Sequence, residues 1–162
     1  MRRLWIVAAI AVTGIGVVGS SVAAVEGLPQ IVMNEIELNP PGRDAGAEWI
    51  EILNLGEEPI DLAGWTLTYN YRVEGQVTIS EESLEIAPGE RFIFVYPRLM
   101  LRNAEGTVFE LRDPTGIIVD RTAPLKDEDD DGQTWQRYPD GGDPLFLDFW
   151  VFGDGTRGKP NE

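Results

Sequence analysis

The chain has 162 residues, with 28 Asp and Glu against 13 Lys and Arg, a net charge of -15, and neither Cys nor His. These counts exclude a Ser-His-Asp triad, a His metal site, zinc–thiolate and iron–sulfur centres, disulfides and a cysteine-linked lipid anchor. They also set the chain against nucleic acid, which is bound through Lys and Arg that displace counterions from phosphates.

In chain order, Met1-Arg2-Arg3 is a basic start and residues 4–25 carry no charge. Small side chains at Val22 and Ala24 fit a signal-peptidase site. Residues 1–24 are therefore expected to be a signal peptide, and residues 25–162 a single domain. The alternative is an uncleaved anchor, since the uncharged stretch matches the roughly 20 residues of a membrane span. Either way the domain is expected outside the cytoplasm, with contact to a membrane only if the segment is retained. The leader holds two Arg and no acid, so its removal takes the net charge from -15 to -17. Gly14, Gly16 and Gly19 match a dinucleotide-binding fingerprint, but Asn39-Pro40-Pro41-Gly42 breaks the helix that fingerprint requires.

From residue 30 onward, short apolar runs are bounded by Gly, Pro, Asn and Asp, which predicts an all-β sandwich or barrel. Strands are expected at residues 30–38 and 48–53. Residues 64–71 show clean period-two alternation, with Trp65, Leu67, Tyr69 and Tyr71 on one side. Shorter strands are expected at 77–79 and 84–86. Residues 91–96 (RFIFVY) are almost continuously apolar, which predicts a central strand buried on both faces. Residues 107–112 and 116–121 flank Asp113-Pro114-Thr115-Gly116 and read as a hairpin. A last strand is expected at 134–138, a helical turn at 98–105, and an irregular, partly mobile tail at 153–162. Trp49, Trp65, Phe92, Phe94 and Phe109 are the main core candidates. The apolar run 145–152 is expected to dock on the sandwich and cover an edge or open end; the alternative is an exposed patch that marks a partner site.

An ordered series of motifs carries a resemblance. Asn34-Glu35-Ile36 precedes Asn39-Pro40-Pro41-Gly42, then Glu48-Trp49-Ile50-Glu51-Ile52 and Asn54. Next come Ile60-Asp61-Leu62-Ala63-Gly64-Trp65, Ala87-Pro88-Gly89, Trp135-Gln136-Arg137-Tyr138-Pro139-Asp140-Gly141, and finally Gly158-Lys159-Pro160-Asn161. The series, over residues 31–161, resembles the lamin tail domain in its exported prokaryotic form. The family often ends in a Thr-Pro-Gly-x-Pro-Asn type run, from which residues 155–161 depart. The resemblance implies an immunoglobulin-like β-sandwich without enzymatic activity, acting as a binding or structural module with protein partners. It also implies that Glu35, Glu48 and Glu51 belong to the framework.

Asp127, Asp129 and Asp131, followed by Gly132, match the opening of a calcium loop, in which carboxylates at alternate positions converge. The bidentate Glu such a loop needs is missing; its position holds Tyr138. These three residues are candidate calcium ligands, the alternative being a solvated acidic loop. Glu35, Glu48 and Glu51 raise acid–base catalysis, but no other catalytic group accompanies them. Ser80 and Ser83 read as turn residues. Aromatic residues Trp49, Trp65, Trp135, Phe146, Phe149, Trp150 and Phe152 raise a third role, a polysaccharide-binding accessory module of a secreted hydrolase.

Overall fold

The structure is a computed structural model that describes residues 30–71, 73–96, 103–142 and 149–162. Among the described residues there is no helix; the elements are eleven strands. They are β1 (Ile31–Glu37), β2 (Trp49–Asn54), β3 (Ile60–Asp61), β4 (Thr66–Tyr71), β5 (Val73–Thr78), β6 (Glu85–Ile86), β7 (Arg91–Val95), β8 (Val108–Arg112), β9 (Ile118–Arg121), β10 (Gln133–Arg137) and β11 (Trp150–Asp154). The candidate leader lies outside the described residues. So do residues 98–102 of the candidate helical turn, whose remainder is a turn and bend.

A five-stranded sheet in the order β11-β10-β1-β2-β7 faces a four-stranded sheet in the order β5-β4-β8-β9, with a small β3-β6 pair beside them. Every pairing between named strands is antiparallel. The core lies between the sheets. Ile31, Met33, Ile36, Ile50, Ile52 and Phe94 meet Leu67, Phe109 and Leu111 across it. Each such side chain withdrawn from water contributes about 1.5–3 kcal/mol. The all-β sandwich is therefore the observed architecture.

Three expectations are corrected. The strand at 91–96 is not central: β7 is an edge of its sheet and is mostly half-buried. The doubly buried strands are β1 and β2, every residue of which is buried. Their polar residues hid this, because apolar continuity is the usual mark of burial on both faces. Second, β10 is not the last strand. Trp150 to Asp154 add β11 to its free side, where the apolar run was expected to cover an edge. The tail beyond β11 is irregular, as read, but it is held by side chains described below. Third, β5 starts at Val73, earlier than expected, and forms a hairpin with β4.

Of the core candidates, Trp49, Phe94 and Phe109 are buried, while Trp65 and Phe92 are half-buried against the core. Trp49 alternates with Ile50 and Ile52 and so faces the other side of the sheet. There the Arg157 guanidinium lies over its ring, 5.1 Å from the centroid.

Candidate functional site

The outer face of the five-stranded sheet carries a buried polar cluster. It begins with a β-bulge: Met33 opposes Ile52 and Glu35 opposes Glu51, leaving Asn34 as the extra residue. A bulge re-aims side chains, and here Asn34 and Glu35 both meet partners on the outer face. Asn34 donates from Nδ2 to Glu51 Oε1 (2.8 Å) and to Asp140 Oδ1 (3.0 Å). Its Oδ1 accepts the Gly141 N–H at 2.8 Å. Arg91 lies 3.3 Å from Glu51 Oε1 through Nε and also pairs with Asp140.

The C-terminal tail closes over this cluster. Thr156 donates its N–H to Glu35 Oε1 at 2.7 Å, and its hydroxyl lies 2.9 Å from Glu35 Oε2. Thr134 donates its hydroxyl to Glu35 Oε1 at 2.7 Å. Gly158 donates its N–H to Glu51 Oε2 at 2.8 Å. Asn161 donates its N–H to Asp140 (3.0 Å) and its Nδ2 to the carbonyls of Asn34 (3.0 Å) and Arg137 (2.9 Å). A carboxylate removed from water loses several kcal/mol of solvation. Here Glu35 regains three donors in its place, and Glu51 regains two donors and the Arg91 ion pair. Burial still pushes the Glu51 carboxyl above its usual range, against the pull of Asn34 and Gly158. Both carboxylates are engaged by the protein's own donors, which is the arrangement of a structural clasp. Glu48 is not brought into it: it lies beyond the far end of β2, where its carbonyl accepts the Tyr96 N–H.

Gly141 sits in the clasp at φ 78°, in the left-handed region. A Cβ there would stand 2.7 Å from the Leu55 side chain. Gly141→Ala is expected to cost about 2 kcal/mol, from backbone strain plus overpacking. Urea unfolding checks this; an unchanged midpoint would show that the turn has room to adjust.

A second buried device joins the two sheets. Asp120 of β9 accepts the Met33 N–H on Oδ2 at 2.8 Å. Arg137 of β10 donates from Nε to the Met33 carbonyl at 2.7 Å and from Nη2 to Asp120 Oδ1 at 2.6 Å. β10 pairs with β1 only at Glu35 and Ile36. The ion pair thus takes over both backbone groups of Met33 just where the ladder stops. Arg137 is fully buried and its guanidinium lies 4.9 Å from the centre of the Trp150 ring. Burial raises the Asp120 carboxyl above its usual range, with Arg137 pulling it back down.

The acidic loop is tied largely to itself. Asp127 accepts the Asp129 N–H (3.1 Å), Asp131 accepts the Gln133 N–H (2.8 Å), and Asp130 accepts the Gly42 N–H (2.6 Å). Of the three candidate ligands Asp127 is buried, Asp131 half-buried and Asp129 exposed. Among the described residues no group of three or more carboxylates is placed to hold a metal ion. The structure adds a residue that the sequence reading did not connect to this loop: Glu37, at the end of β1. Burial, then Asp127 and Asp131, push its carboxyl up to about 7. Nothing in the spacing of the sequence puts β1 beside a loop some 90 residues later.

Glu37 ties stability to pH. Its folded form keeps a proton up to about pH 7, whereas the unfolded form releases it near 4.5. The contribution of this group to stability is therefore fullest below about pH 4.5 and is lost as pH rises through 7, a change of about 3 kcal/mol. Glu37→Gln keeps the acceptor for the Asn39 N–H and removes the charge. The variant is expected to exceed the native chain in stability at pH 8 and to match it at pH 4. Urea unfolding at both values checks this; equal stabilities at pH 8 would contradict it.

The remaining candidates are plainly placed. Ser80 donates to the Glu82 carbonyl and Ser83 to Asp61, both in exposed turns. Trp65, Trp135 and Trp150 pack against the core, and Phe152 lies against Trp135. Phe146 lies outside the described residues. A shallow polar groove of about 280 Å³ is lined by residues including Thr66, Thr68, Gln76 and Arg112. Exposed apolar side chains gather elsewhere, at Tyr138 just after β10, Phe149 just before β11 and Val151 within β11.

A search of curated proteins finds no match. A family model described as Lamin Tail Domain matches residues 25–125, which reaches from the expected start of the domain past β9. The bulge, the two central acidic strands and the β4 tryptophan region all fall within the match. The chain belongs to the lamin tail domain family.

Proposed function

We propose that this chain is a non-catalytic module that binds a protein partner outside the cytoplasm, at the cell envelope or beyond it. The compartment rests on the uncharged stretch after Met1-Arg2-Arg3. Family membership supports an immunoglobulin-like interaction domain without enzymatic activity. The observation that carries the binding role is the patch of Tyr138, Phe149 and Val151, respectively 48%, 53% and 40% exposed. Tyr138 donates its N–H to the Phe149 carbonyl, and Val151 follows two residues later, so the three share one face of the sheet. Clustered apolar exposure marks interaction sites, whereas scattered residues do not. A photocrosslinking residue placed at Tyr138 or Val151 in living cells is expected to yield one adduct of defined mass. The same residue at Gln76, on the opposite sheet, is expected to yield none. Failure of both patch positions to crosslink would sink the reading.

Calcium binding at Asp127, Asp129 and Asp131 is a second reading. One observation favours it: Asp127 Oδ2 is buried without a hydrogen-bond partner. A cation held only by the folded state must raise the melting temperature. A rise at millimolar calcium that disappears in Asp127→Asn supports it; an unchanged melting temperature ends it. A polysaccharide role would have to use Tyr138 and Phe149, since the tryptophans of the described region are buried or pack against the core. Retention on insoluble glycans tests that role.

A further inference from the structure

We propose that β11 is a docking edge for an extended, cationic segment of a partner protein, which adds to the five-stranded sheet as a sixth strand. The proposal rests on the binding-module reading and names the surface and the chemistry of its partner.

The register shows which backbone groups are free. Tyr138 donates to the Phe149 carbonyl, and Gly155 donates to the Gly132 carbonyl at the other end of the β10–β11 ladder. Hydrogen-bonded and non-hydrogen-bonded pairs alternate along an antiparallel ladder. The intervening hydrogen-bonded pairs are therefore Gln136 with Val151 and Thr134 with Gly153. Trp150 and Phe152 fall on the non-bonded positions, so their N–H and C=O groups point away from β10. β11 ends the sheet, and among the described residues no strand lies beyond it.

Among the described residues this edge lacks the usual protection. Natural edge strands are guarded by Lys, Pro, bulges or covering segments, and the strand Trp-Val-Phe-Gly-Asp has no Lys, no Pro and no bulge. Its outer face adds the exposed apolar side chains of Phe149 and Val151. An extended peptide gains main-chain bonds from such an edge and specificity from alternate side chains.

Charge chooses the occupant. β11 ends in Asp154, is preceded two residues earlier in sequence by Asp148, and contains no cation. A second copy would bring a net charge of -15, or -17 without the leader, against the same charge on the first. Like charge suppresses self-pairing, while a segment bearing Lys or Arg is steered in. The acidity thus performs the protective task usually given to edge Lys, and leaves the edge open to cationic strands alone.

The probe is a blocked eight-residue peptide of alternating lysine and valine, titrated into the full chain purified as its host processes it. At ten times its dissociation constant, the peptide is expected to slow amide exchange at Trp150 and Phe152 about tenfold. An alternating glutamate–valine peptide is expected to have no effect. Val151→Lys, a change at an exposed side chain, is expected to abolish the protection and leave the melting temperature unaltered. Three results would overturn the proposal: no protection at Trp150 and Phe152, equal protection in Val151→Lys, or protection that grows with protein concentration without peptide. The last would make the occupant a second copy. If protection fails while crosslinking at Tyr138 still captures a partner, the edge proposal falls and the binding-module reading stands.

Discussion

Replacing Arg137 with Met is expected to destabilise the folded chain by about 3–5 kcal/mol, the range for breaking one side of a buried ion pair. The substitution strands the Asp120 carboxylate, which is only 7% exposed, and frees the Met33 carbonyl at the same time. Ring stacking on Trp150 is lost as well. Urea unfolding of the single variant measures the total.

The double variant Arg137→Met with Asp120→Leu is the sharper experiment. In a simple buried ion pair, replacing both partners with apolar residues restores stability or improves it. Here each partner also holds one backbone group of Met33, the N–H by Asp120 and the C=O by Arg137. Each buried backbone group left without a partner costs about 1–3 kcal/mol. The double variant is therefore expected to remain at least about 2 kcal/mol below the native chain. Full recovery would show that the pair is an ordinary ion pair and that the interrupted ladder at Met33 is satisfied in some other way.

Much of the fold was legible because strand physics is local. Trp65, Leu67, Tyr69 and Tyr71 alternate as a half-buried strand must, and Asp113-Pro114-Thr115-Gly116 marked its hairpin through turn chemistry. In the structure Asp113 accepts the N–H groups of Thr115 and Ile117, as a turn-starting Asp does. The misplacement of β7 has a physical reason. Burial on both faces was read from apolar continuity, yet β1 and β2 are covered on one face by apolar side chains and on the other by a polar clasp. Asn34, Glu35 and Glu51 look like surface residues in the sequence because many of their partners are distant, at Arg91 and in residues 134 to 161. Such long-range pairing leaves no periodic trace. β11 was visible only as an apolar run, and its pairing with β10 could not be read from spacing. The candidate calcium ligands were legible as a motif, whereas the buried Glu37 carboxyl, which feels the charge of Asp127 and Asp131, was not.

Asn161→Ala is expected to release the C-terminal strap. Asn161 makes two donated bonds from Nδ2, to Asn34 O and Arg137 O, and its Oδ1 lies 2.9 Å from the Thr156 hydroxyl. Its own N–H bond to Asp140 survives the substitution. Each lost bond is worth about 0.5–1.5 kcal/mol net, so the strap loses about 2 kcal/mol of closure. The residues under it do not become unsatisfied, because water enters when the strap lifts, so the loss appears as local opening more than as global unfolding. Trypsin reads that opening at Arg157, which lies over Trp49 when the strap is closed. When reclosing outpaces cleavage, the cleavage rate follows the open population. About 2 kcal/mol corresponds to about thirtyfold faster cutting after Arg157. Asn161→Asp separates lost bonds from lost volume. It keeps the shape, removes both donated bonds and sets a carboxylate against two carbonyl oxygens, so it is expected to open the strap at least as far. If Asn161→Asp is cut at the native rate while Asn161→Ala is cut faster, packing holds the strap and the hydrogen-bonded clasp does not.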